Sequence, residues 1–369
     1  MANRTRSQST FSGTGTKYRY LTGVLLATVS NLGSYDTITD LVASGDGHNL
    51  DIRHLSVFGL VLNYQTTGNT TGRIWKNWML DRCRNPADSM FGHLSVPDQP
   101  SDAILAAELL ARTNPSRPVV DLPIAIYELR EIPELLREEG NKIIRGLAAG
   151  NLALQFGIKP LISDLQSLMN FSDEVAKRQR ELERLAEGGL RRKRDLWSGS
   201  TTAGPLSIIA QSGDGVTVTI GVHKATQRKV WGHVVWTPDN PKLMKGDMRN
   251  LARKAVLGLT IDFATAWNAI PWSWLVDWCG NVGDILTARR NIVGASHGPV
   301  QIMTQTTTTA LASQTPETGF VTPGGWKEVT KQRRSVVYVP VDVQLPILSL
   351  RQLSILGSIG VTRRVPRSL

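Results

Sequence analysis

Gly294-Ala295-Ser296-His297-Gly298 reads G-x-S-x-G, the spacing of a nucleophile elbow. That chemistry needs a strand before the serine and a helix after it, so that a tight turn presents the hydroxyl. Here a helix end precedes the pattern, and Gly298-Pro299 and a strand follow. The expected state is a plain loop. A serine hydrolase using Ser296 and His297 is kept as the alternative, and no other catalytic residue is assigned. The histidines (His48, His54, His93, His223, His233 and His297) form neither H-E-x-x-H nor an i,i+4 pair, so no metal site is expected. No Walker A loop and no dinucleotide-binding glycine pattern occurs, so no cofactor is expected. Cys83 and Cys279 are too few for a disulfide framework and read as reduced, packed thiols.

The cations offer more chemistry. Arg191-Arg192-Lys193-Arg194 follows a stretch carrying Lys177, Arg178 and Arg184, and Arg363, Arg364 and Arg367 crowd the C-terminus. Arg289-Arg290 and Lys331, Arg333 and Arg334 add further clusters. Guanidinium forks match phosphate oxygens bidentately, and several such contacts give tight, salt-sensitive binding without base readout. The competing reading of Arg191–Arg194 is a solvated turn after a helix. The chain as a whole is basic, with net charge +11 and a pI near 9.9. By region the net charge is +2 over residues 1–100, −3 over 101–190 and +12 over 191–369. A chain this basic calls for a polyanionic partner.

Tryptophan is the second anomaly. Trp231, Trp236, Trp267, Trp272, Trp274 and Trp278 fall within 48 residues of one another. Stacking on single-stranded bases would use such rings. The stretch AWNAIPWSWLVDWC from Ala266 to Cys279 is too apolar for an exposed platform, and core packing is the expected role. No apolar run reaches the length of a membrane span; Ala255 to Val276 is interrupted by Asp262 and Pro271. Leu21 to Val29 is a poor signal-peptide core and reads better as a strand.

These groups must be positioned by helices and strands in separated blocks. Residues 1–16 are Ser/Thr/Gly-rich and expected to be a mobile N-terminal arm. Residues 17–100 read as a mainly β region. Residues 101–190, which hold ten of the twelve glutamates, read as helical. Leu161, Leu165, Leu168, Val175 and Leu182 make one apolar stripe, with Asp173, Glu174, Lys177, Arg178, Arg180 and Glu181 opposite, and Gly188-Gly189 ends that helix. Residues 191–240 return to strand: Val216, Val218, Ile220 and Val222 alternate with Thr217, Thr219 and Gly221. Residues 241–296 read as a second helical part, 297–343 as a third β part, and 344–369 as a C-terminal helix with a basic tail. The fold class is α+β: an antiparallel β-sheet region plus a helical bundle region, elongated, each built from discontinuous segments.

Two further segments carry a resemblance. NLALQFGIKPLISDLQSL (Asn151 to Leu168) holds Leu154, Phe156, Gly157, Pro160, Leu161 and Asp164 in the spacing L-x-F-G-x-x-P-L-x-x-D. AWNAIPWSWLVDWCGNVGDIL (Ala266 to Leu286) holds Trp267, Pro271, Trp272, Ser273, Trp274, Val276, Asp277, Trp278, Val282 and Gly283. Together they resemble the maturation proteins of single-stranded RNA bacteriophages, the levivirus group. The resemblance implies a single-copy virion protein that replaces a coat-protein dimer in the capsid. It also implies a helical region bound to folded hairpins of the genomic RNA, and a sheet region that attaches to a bacterial pilus before RNA entry. Its localisation would be the virion, with host cytoplasm during assembly. The motif residues themselves are assigned structural roles: Asp164 and Asp277 cap or bridge buried backbone, and Pro160 and Pro271 set helix starts. The reading is a non-enzymatic adaptor whose RNA contacts come from Lys177, Arg178, Arg184, the Arg191–Arg194 cluster and the C-terminal arginines. A generic cellular RNA-binding protein is the other alternative, and no RNA-recognition, KH or zinc-knuckle signature supports it.

Overall fold

A computed structural model describes residues 2–42, 48–119, 171–214, 216–240, 248–257, 282–314, 321–336 and 354–355. The chain opens with an antiparallel hairpin of two long strands, β1 (Ala2–Arg19) and β2 (Leu25–Val42). The expected mobile arm is therefore a strand. Its ladder runs from Ala2↔Val42 to Tyr18↔Leu25. Cross-strand polar pairs take the place of an apolar face: Thr5 with Thr39, Thr10 with Ser34, and Arg4 with Asp40.

Four strands follow the same antiparallel logic around this hairpin. They are β3 (Leu50–Phe58), β4 (Val61–Gln65), β5 (Arg73–Met79) and, late in the chain, β10 (Gly324–Val336). Between them in sequence come β6 (Leu190–Gly213), β7 (Val216–Pro238), β8 (Ala295–His297) and β9 (Val300–Gln314). The spatial order is β4-β5-β1-β2-β3-β10-β9-β7-β6, with β8 pairing β7 off this path. The protein is mixed but strand-rich, and its sheet has ten strands.

Strand β7 shows the period of two from one end to the other. Even-numbered residues such as Val216, Val218, Ile220, Val222, Val230 and Val234 are buried, and the odd-numbered ones between them are largely exposed. Two compact units emerge from the chain. The first comprises Met1–Gln99, Asp195–Trp231 and Gln301–Ser335; the second comprises Pro100–Arg194, Gly232–Val300 and Val336–Leu369.

The first unit has a continuous apolar core that includes Leu55, Leu62, Trp75, Ile220 and Trp326. Its sheet bends over this core. β5 and β6 lie near opposite ends of the strand order, yet side chains join them. Gln211 donates to the Asp81 carboxylate at 2.6 Å and accepts from the Asp81 amide at 3.0 Å, just past β5. Lys17 of β1 pairs with Asp214 at 2.6 Å. A polar cluster fixes the segment before Gln99 to the sheet. The His93 ring bonds the hydroxyls of Thr308 and Thr330 at 2.7 and 2.8 Å. Thr226 bonds both Thr308 and the Leu94 amide, and Lys224 donates to the Met90 carbonyl.

The second unit is built on helices. Its described members are α2 (Asp102–Thr113), α3 (Phe171–Gly188), α4 (Met248–Leu257) and α5 (Val282–Ala288); a short α1 (Asp81–Arg84) belongs to the first unit. Helix α2 starts at Ser101, whose side chain accepts from the Ile104 amide, and it buries Leu105, Leu109 and Leu110. It packs on α5, and α3 packs on α4. One side chain ties the first pair. The buried Asn114 amide donates to the carbonyls of Thr287, Ala288 and Arg290 at 2.9–3.0 Å, so it caps the end of α5.

Candidate nucleic-acid interface

Helix α3 forms because its apolar residues recur on one face. Val175, Leu182, Leu185 and Ala186 are buried, at steps of seven, three and one. Leu161, Leu165 and Leu168, the rest of the expected stripe, lie outside the described residues. Gly189 ends the helix. Its φ of +93° suits glycine, its amide bonds the Leu185 carbonyl, and an added Cβ would sit 2.9 Å from the Trp236 carbonyl oxygen. Strand β6 begins at the next residue, Leu190. The basic run is thus the start of a strand, where a turn was the competing expectation. Leu190 is buried, Arg191 is exposed, Arg192 is half-buried, and Lys193 and Arg194 are exposed.

The seven described candidates divide by environment. Arg178 is engaged internally. It donates to the carbonyls of Pro115 and Arg117 at 3.1 and 2.8 Å and to Glu181 at 3.2 Å. Burial pulls its pKa below the ordinary arginine value, while the Glu181 carboxylate opposes that shift. Its place is structural: it ties α3 to the chain that follows α2. Arg192 also turns inward, with a nitrogen 2.8 Å from Glu181. Lys177 is exposed and paired with Glu174 at 2.7 Å, a hydrogen bond that raises its pKa. Arg184, Arg191, Lys193 and Arg194 are all exposed, at the end of α3 and the start of β6. Arg363, Arg364 and Arg367 lie outside the described residues.

Helix α4 adds cations that the sequence reading did not single out. Arg249, Arg253 and Lys254 are exposed on it, Ala252, Ala255 and Val256 are buried, and Met248–Leu257 has no carboxylate. The signal was present as three cations and no acid in ten residues of period 3.6. The other basic clusters do different work. In the first unit Arg334 forks onto Asp51, and Arg333 donates to the His48 carbonyl. Arg290 is buried and Arg289 exposed.

Ser296 and His297 do not form a nucleophile elbow. They lie in β8, where Ser296 pairs with Thr237 and His297 with Trp236. Neighbouring residues in a strand point to opposite faces, and the element that follows this one is strand β9, where an elbow needs a helix. The His297 Nδ1 contacts the Gly298 carbonyl, and its ring meets Trp236 edge-on. Among the described residues no group of three His, Cys, Asp or Glu side chains could hold a metal ion, and no helix is long and apolar enough to cross a membrane. Of the motif residues, Gly283 lies in α5, while Phe156, Gly157, Pro160, Leu161, Asp164, Pro271, Ser273, Asp277 and Trp278 lie outside the described residues, as do the tryptophans at 267–274. Trp236 is fully buried, as a core ring should be.

The family model described as phage maturation protein matches residues 126–310, half of the sequence. The chain belongs to that family and is a virion component with a maturation role. No curated protein matches it.

Proposed function

We propose that this maturation protein binds its genomic single-stranded RNA through the end of α3, the start of β6 and the adjoining α4. The observation that carries the proposal is the run of exposed cations Arg184, Arg191, Lys193 and Arg194 on ordered backbone, with carboxylate-free α4 packed on α3. Ordered arginine forks recognise phosphate geometry without reading bases, which suits a folded RNA hairpin. Lys177 flanks this surface, Arg178 and Arg192 brace it, and the C-terminal arginines extend it. In the rest of the reading the helices form one bundle and the protein is an elongated, single-copy adaptor. It replaces a coat-protein dimer and offers the strand-rich stretches 30–75, 200–236 and 300–335 to a host pilus, and it resides in host cytoplasm during assembly. The function is binding and delivery, with no catalytic step.

The test replaces Arg191, Lys193 and Arg194 with Gln and measures filter binding of genomic RNA over a range of salt. Each lost phosphate contact lowers the magnitude of the slope of log K against log salt by roughly 0.7–0.9, so the expected fall is about 2. An unchanged slope would remove these residues from the interface.

A further inference from the structure

The turn of the β1–β2 hairpin presents an apolar surface that nothing in the first unit covers. Leu21, Val24 and Leu25 are 58, 54 and 52% exposed, and Leu26 is 37% exposed. The ladder explains this exposure. On its far side β1 is paired by β5 only as far as Arg19↔Arg73, and β2 is paired by β3 only from Ser34 onward. The turn therefore lies beyond the last rung of both neighbours. Leu21 and Val24 lie in the turn, and Leu25 and Leu26 open β2 and point to its two faces, so four aliphatic side chains stand in water around one end of the hairpin. Exposure of this kind costs free energy and marks a contact surface.

Its border is cationic. No carboxylate occurs before Asp36, and none occurs between Asp51 and Asp81, the span that supplies β4 and β5. Lys17, Arg19, Arg73 and Lys76 stand on the rungs next to the turn, and Asp214 meets Lys17 at 2.6 Å and Arg73 at 3.8 Å. Arg19 and Lys76 are exposed. Going back from the turn along β1 come Tyr20, Arg19, Tyr18 and Lys17, and the Lys76 ammonium lies 5.4 Å from the Tyr18 ring centre. Aliphatic side chains at the tip are thus backed by interleaved tyrosines and cations. That pairing matches an acyl-chain boundary backed by the interfacial and phosphate level.

We infer that the β1–β2 turn inserts Leu21, Val24, Leu25 and Leu26 into the surface of an anionic lipid bilayer, with Arg19 and Lys76 against the headgroup phosphates. Shape-tolerant aliphatic groups with a positive rim fit a fluid anionic surface. This contact is independent of RNA binding.

The full chain is tested by flotation with vesicles of equimolar phosphatidylethanolamine and phosphatidylglycerol, and with vesicles of phosphatidylcholine. The wild type is expected to float with the anionic vesicles. Leu21→Ser with Leu25→Ser should lower the partition constant about 100-fold, because each leucine loses most of its transfer gain. Arg19→Gln and Lys76→Gln should each lower it about 5-fold on anionic vesicles and leave weak binding to phosphatidylcholine unchanged. Phe11→Ser changes a residue that is 63% exposed elsewhere on β1 and should have no effect. A wild type that stays unbound, a double-serine variant that floats normally, or a Phe11→Ser variant that fails equally would overturn the inference. Wild-type binding to pilus filaments but not to vesicles, lost in the double-serine variant, would assign the turn to a protein partner and also overturn it.

Discussion

Replacing Asn114 with Ala should destabilise the helical unit more than any surface change there. The side chain is 3% exposed, and its Nδ2 faces the carbonyls of Thr287, Ala288 and Arg290 while its Oδ1 accepts from the Ser116 amide at 2.8 Å. Two amide hydrogens and one accepted bond are lost together, and the partners stay behind in a site closed to water. At roughly 1 kcal/mol per bond, with a further share for stranded buried groups, the cost is about 3–4 kcal/mol. That corresponds to a fall in Tm of roughly 6–16 °C for a unit of this size. Asn114→Asp separates polarity from shape. It keeps the volume and the Ser116 bond but turns the donor edge into an anion against three carbonyl oxygens, so it should cost at least as much. Urea and thermal denaturation followed by circular dichroism would measure both. If Asn114→Ala lies within about 0.5 kcal/mol of wild type, or Asn114→Asp is neutral at pH 7, the cap is not what joins α2 to α5.

Two further outcomes follow from titratable groups in the first unit. Burial holds the His93 pKa below its ordinary value; the carboxylate of Glu328 opposes this, and Arg228, Arg53 and Lys224 reinforce it. A depressed histidine favours the folded state above the unfolded pKa, near 6.5, and that advantage is lost as pH falls through the folded value. Acid denaturation should therefore begin below about pH 6.5 in the wild type, and His93→Gln should remove that part of the pH profile. Burial also pushes the Cys83 thiol up to about 12, so in the folded protein it should resist a thiol-reactive dye at pH 8 and react only after unfolding.

Strand β7 was legible from Val216 to Val222, where every second residue is apolar and buried; farther along the same face carries Lys224, Thr226 and Arg228, which local alternation does not mark. The end of α3 was legible for a related reason: two glycines stop a helix whatever lies around it, and Gly189 does so with a positive φ. Strand β1 was not legible. Half of its residues are Ser, Thr or Gly, with no apolar period, and the strand is specified by partners on β2 that a local reading does not see. The cations were partly legible. Arg178 stands three residues after Val175 and four before Leu182, beside the apolar stripe, while Arg184 lies on the opposite face. What a local reading does not see is the pair of carbonyls that holds Arg178, at Pro115 and Arg117, supplied from about sixty residues earlier in the chain. Leu21–Val29 was read as strand, which holds from Leu25 onward; the exposure of Leu21–Leu26 depends on where β5 and β3 stop, which is a property of register.

The joint between α3 and β6 is one residue long, and this sets what kind of change the basic segment tolerates. Strand phase inverts with every residue, so the chain length at Gly189 decides which of Arg191–Arg194 meets Glu181 and which meets solvent. Substitutions along 191–194 alter charge one position at a time. A single inserted or deleted residue at the joint would bring Arg191 or Lys193 to the carboxylate in place of Arg192 and turn Arg192 outward. Drift in this segment is thus confined to residue identity, and its length is held fixed by geometry.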